Sequence, residues 1–103
     1  MFLILEKILK KVVFKKYIES VYIFGSITKK YLRSSDIDVC LKFYKNLTDK
    51  EKTYFLLISK INEQIEESKI ISKIDISNYQ DLTTEFIQHI KQYWIEVKLN
   101  NNN

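Results

Sequence analysis

The chain predicts an α+β fold, a small mixed β-sheet of three to four strands flanked by helices. Three observations carry that expectation. Apolar residues recur at helical spacing in three separate stretches. Short runs rich in β-branched and aromatic residues lie between them. Neither kind of segment buries its apolar face alone, and a sheet covered by helices satisfies both.

Leu5, Ile8, Leu9, Val12 and Val13 fall on one helical face, which predicts a first helix over 2–16. Val21 to Phe24 is a short apolar run ended by Gly25 and reads as a buried strand. Residues 27–33 are a short helix or a loop. Residues 36–43 alternate and are rich in β-formers, which predicts a second strand. Thr48 and Glu51 have the spacing of a capping box, and a helix follows with Tyr54, Ile58, Ile61 and Ile65 on one face. Residues 69–77 form a third strand. Asp81 caps a last helix over 82–93, which carries Leu82, Phe86, Ile90 and Tyr93. An extended piece at 94–98 follows.

With 103 residues the chain is one domain, placed at 1–99, with a disordered tail at 100–103. A hydrophobic fraction of 46% argues against disorder elsewhere. No apolar run is long enough to span a membrane. Glu6 and Lys7 interrupt the apolar N-terminus, so an amphipathic helix is expected there and not a signal peptide. Cys40 is the single cysteine, so an internal disulfide is excluded and a cytoplasmic location is expected. The net charge of +4 follows a Lys-, Ile- and Asn-rich bias spread along the chain, which makes nucleic acid an unlikely direct partner. Without proline and with one glycine, turns fall to Ser, Asn, Asp and Thr.

The informative stretch is Phe24-Gly25-Ser26, nine residues, then Asp36-Ile37-Asp38. Gly25 sits where a strand ends, and glycine permits positive φ and close approach of a ligand. The Ser26 hydroxyl and the amides after it suit phosphate oxygens. Strand periodicity puts Asp36 and Asp38 on one face, with Cα atoms about 6.7 Å apart. At an effective dielectric near 20 their repulsion is roughly 2 kcal/mol. A lysine from a neighbouring strand, a raised pKa or a divalent cation would offset it. Asp75, between Ile74 and Ile76, is a third acid in a strand. If that strand lies beside 36–43, three carboxylates converge as two metal ions require.

These motifs, with the later Ile74-Asp75-Ile76 strand, resemble the DNA polymerase beta-like nucleotidyltransferase superfamily. The short length and element order are similar to its minimal nucleotidyltransferase branch, whose antitoxin-type members pair with a HEPN toxin. The resemblance implies that Gly25 and Ser26 hold the nucleotide phosphates. It implies that Asp36 and Asp38 bind two Mg²⁺ ions, and that Asp75 completes the metal site and activates the acceptor. The loop is one residue shorter than the family's usual loop and lacks its second glycine. Lys29, Lys30 and Arg33 stand there to meet the triphosphate.

The activity so implied is transfer of AMP from ATP to a hydroxyl, most readily tyrosine, of a partner HEPN-type toxin, which the chain thereby neutralises. The small stretch after Asp75 favours an acceptor carried by another protein. Surfaces near Phe86, Tyr93 and Trp94 are candidate contacts. Competing readings are an antitoxin acting by contact alone, a small-molecule (aminoglycoside-type) nucleotidyltransferase and a basic nucleic-acid-binding module. His89 and Cys40 are assigned structural roles.

Overall fold

A computed structural model describes residues 2–13, 15–25, 36–68 and 73–99. Among them run α1 (Phe2–Val12), β1 (Ile18–Gly25), β2 (Asp36–Phe43), α2 (Lys50–Glu67), β3 (Lys73–Asn78), a 3₁₀ turn (Tyr79–Asp81), α3 (Thr84–Ile90) and β4 (Ile95–Val97). The strands make one sheet in the order β3-β2-β1-β4. β1 is antiparallel to both β2 and β4, whereas β2 and β3 are parallel and joined through α2. The class is therefore α+β with a mixed sheet, as the sequence pattern predicts.

Strand alternation divides the sheet into two faces. Val21, Ile23, Ile37, Val39, Leu41 and Phe43 point into the main core against α1 and α2. The apolar stripe of α1 is the predicted one, with Leu5, Ile8, Leu9 and Val13 buried. On α2 the buried residues are Leu57 and Ile61, flanked by Tyr54 and Ile65. The Tyr54 hydroxyl donates to the Ile76 carbonyl at 3.1 Å and ties α2 to β3. The opposite face carries a smaller cluster of Tyr22, Phe24, Cys40 and Ile90, with Tyr79, Leu82, Tyr93 and Trp94 packed around it.

Several expected boundaries shift, among them the end of the last helix, which falls at Ile90 and not at 93. The first helix ends at Val12, not at 16, because Ile18 is drawn into the sheet as a fully buried residue and a turn at 15–17 must precede it. β1 accordingly starts at Ile18, with a register irregularity before Ser20. The Thr48–Glu51 capping box does not form. Asp49 is the N-cap of α2, at φ 54 and ψ 42, and makes no side-chain cap bond. With the only glycine used elsewhere, aspartate takes the left-handed position, which its short polar side chain tolerates. Asp81 ends the 3₁₀ turn and caps nothing. Thr83 is the cap of α3, its hydroxyl accepting from the Phe86 amide at 3.1 Å. Asn78 caps the 3₁₀ turn by accepting from the Gln80 amide at 3.1 Å, which uses the chain between β3 and Leu82 before α3 begins. The third strand is described from Lys73, and residues 69–72 and the tail 100–103 lie outside the described residues.

Candidate active site

β1 ends at Gly25 with φ 106, a conformation that disfavours any residue with a Cβ. The register places what surrounds it. Gly25 faces Ile37, and Phe24 faces Asp38. On the other side of β2, Asp38 faces Asp75. One row across the sheet therefore reads Phe24, Asp38, Asp75, on the face opposite α1 and α2. Asp38 is half-buried and Asp75 exposed. Asp36 faces Lys73 across β2 and β3, and its own side chain lies outside the described residues, as do Ser26, Lys29, Lys30 and Arg33.

Like charges directly opposite one another on neighbouring strands destabilise a sheet. Lys42, also on this side of β2, is committed elsewhere. Its Nζ lies 3.1 Å from Glu19 and 4.7 Å above the Tyr79 ring. The hydrogen bond it donates to Glu19 leads in raising its pKa. The strand partner of Asp38 on β3 is an acid and not a lysine. Two carboxylates at one row are hard oxygen donors, the kind that suits Mg²⁺. Among the described residues no three metal-ligating side chains form a cluster. Asp38 and Asp75 are thus two facing oxygen donors of the kind a divalent cation takes, and Asp36, the third acid assigned from the sequence, has its side chain outside the described residues.

The next row reads Tyr22, Cys40, Ser77. Burial pushes the Cys40 thiol up to about 11, against smaller lowering by Ser77 and Lys42. A thiol so protonated is a core group and no nucleophile at neutral pH. His89 is exposed, 5.5 Å edge-on from the Tyr93 ring. Of the aromatic residues assigned to a partner surface, Trp94 is half-buried and stacks on Tyr22 at 3.7 Å and 9°. Tyr93 is also half-buried, and Phe86 stays exposed, edge-on to Phe24 at 5.9 Å. The sequence alone gives no sign of that neighbourhood, because it depends on α3 folding back over β1.

No helix among the described residues is long and apolar enough to cross a membrane. No curated protein matches the chain. Solved structures do. One is of a tri-AMPylated HEPN toxin from Shewanella oneidensis in complex with an MNT antitoxin. It is 17% identical with a TM-score of 0.62, covering 97% of this chain and 74% of that chain. A toxin–antitoxin structure with AMP-PNP is 19% identical with a TM-score of 0.59, covering 94% and 72%. A mutant of the toxin–antitoxin MntA-HpeT is 18% identical with a TM-score of 0.58, covering 91% and 68%. At these identities the likeness is one of fold. The family model described as Polymerase beta, Nucleotidyltransferase matches residues 6–102, a span that holds Gly25, both acids of the Asp38–Asp75 row and every described strand. The chain belongs to the Polymerase beta nucleotidyltransferase family.

Proposed function

We propose that this chain is a Mg²⁺-dependent nucleotidyltransferase that moves AMP from ATP to a hydroxyl, most readily a tyrosine, of a HEPN-type toxin, and so acts as its antitoxin. The observation that carries the reading is the direct facing of Asp38 and Asp75, one residue along from a positive-φ glycine. Membership of the family supports transfer of a nucleotide. The choice of AMP and of a toxin as acceptor is supported by the structurally similar toxin–antitoxin complexes.

Gly25 and Ser26 would bind the triphosphate, with Lys29, Lys30 and Arg33 screening its charge. Asp36, Asp38 and Asp75 would hold the divalent cations, which when bound neutralise phosphate charge and favour the ionised acceptor oxygen. Asp75 would take the acceptor proton. The acceptor oxygen forms its bond to the α-phosphorus as the bond from that phosphorus to the bridging oxygen breaks, and pyrophosphate leaves in line.

A test is to mix the purified chain with a HEPN-type protein encoded beside it, Mg²⁺ and each NTP, and weigh the partner by intact mass spectrometry. Addition of one or more AMP units, lost in Asp38→Asn, is expected. A tight complex with no mass increment from any NTP would leave neutralisation by contact as the function. The short loop without a second glycine is the feature that favours that second reading.

A further inference from the structure

We propose that the exposed ring of Phe86 is the platform on which the nucleobase of the donor nucleotide stacks; this rests on the nucleotidyltransferase reading of Asp38 and Asp75. Phe86 reaches the candidate site through one intermediate. Phe24 faces Asp38 in the strand register, and the Phe24 and Phe86 rings meet edge-on at 5.9 Å and 70°. The other aromatic rings of this cluster are covered. Tyr22 and Phe24 are buried, Tyr79, Tyr93 and Trp94 are half-buried, and Phe86 alone among these is exposed, at 40%.

The backbone that carries the ring is held, and the ring has one buried neighbour. Its residue sits in the first turn of α3, where its amide donates to the Thr83 cap, and the buried Phe24 supports it from the sheet. An aromatic face on a held backbone loses little freedom on binding, which is what a stacking platform requires.

The side of the row on which Phe86 lies selects the ligand part. Asp75, on β3, is placed to take the acceptor proton, so the acceptor approaches from that side. Gly25 and Phe24 lie on β1, across Asp38 from Asp75. Donor phosphates held at Gly25 put the donor on the β1 side; in-line attack leaves its nucleoside off the axis between acceptor and pyrophosphate, and Phe86, against Phe24, is the exposed ring beside that row. Stacking uses the π-face that every base has. Phe86 thus supplies affinity for the base without choosing among bases.

The experiment measures Mg²⁺-dependent binding of ATP, GTP and CTP, and of inorganic triphosphate, which has no base. Binding is followed by calorimetry on the full chain and on Phe86→Ala and Phe86→Trp. Melting curves establish that each variant is folded. Loss of one base-stacking contact corresponds to a weakening of about 5- to 150-fold. Phe86→Ala is expected to weaken all three nucleotides by a similar factor in that range, to leave triphosphate binding unchanged, and to be rescued by Phe86→Trp. Nucleotide binding unchanged in folded Phe86→Ala, or equal losses for nucleotides and triphosphate, overturns the stacking site while leaving the acidic site standing. Failure of wild-type protein to bind either triphosphate or any nucleotide overturns both.

Discussion

Asp38 and Asp75 face each other across the parallel pair β2 and β3, with no lysine between them in the register. Like charges directly opposite on neighbouring strands cost up to about 1 kcal/mol. Asp75→Asn removes one of the two like charges and is therefore expected to raise the melting temperature in metal-free buffer, by about 4–8 °C per kcal/mol in a domain of this size. Asp38→Asn and Asp75→Asn should each abolish nucleotide transfer. A substitution that lowers the melting temperature would mark that acid as structural.

Ligand linkage gives the reverse result in the wild type. Mg²⁺ with ATP should raise the melting temperature more than either alone, with about 2.7 kcal/mol available at a hundredfold excess over Kd. The increment should vanish in Asp38→Asn. An unchanged melting curve with the pair would count against a working site.

Thr83 and Thr48 make a matched comparison. Thr83→Ala removes an observed cap bond to Phe86 and should cost about 1 kcal/mol. Thr48→Ala should fall within about 0.5 kcal/mol of wild type, since Asp49 is the N-cap of α2 and Thr48 is not. Urea midpoints of the two variants, compared at equal m-value, decide the matter.

Cys40 sets a pH dependence whose sign follows from its burial. Its folded pKa, about 11, lies above the ordinary 9.0. The unfolded chain therefore loses its thiol proton first as pH rises, and the folded state is penalised from about pH 9 up to about pH 11. Two pKa units at 1.36 kcal/mol each place the full loss at about 3 kcal/mol. Below pH 9 the thiol contributes no slope. Cys40→Val, close in volume, should flatten the curve of stability against pH between 9 and 11. An equal slope in both proteins would assign the alkaline loss to other groups, Tyr54 first, whose pKa burial also raises.

Much of the fold was legible because its cues are local. The stripe of Leu5, Ile8 and Leu9 and the alternation over 36–43 each fix an element and the face it buries. Helix starts were less legible, because several residues nearby are chemically able to cap. Thr48 and Asp49 compete for α2, and Asp81 and Thr83 for α3. Backbone geometry decided for Asp49 and Thr83. The acids were legible as residue types in strands. Their pairing was not, since a one-residue slip of β3 would turn Asp75 to the other face. Nor does the sequence place Phe86 beside Phe24, a contact between residues far apart in the chain.

Pairing of Val21 with Val97 closes a loop that spans most of the chain, for the return of a three-residue strand. Closure entropy grows with loop length, while β4 adds few hydrogen bonds to offset it. β4 is therefore the last strand to join during folding and the first to detach in local openings. Its amides should exchange with deuterium well before those of β2, which is paired on both sides. Detachment of β4 also draws on the neighbouring Trp94–Tyr22 stack, so the indole fluorescence reports the opening of the β1 edge and not of the acidic row.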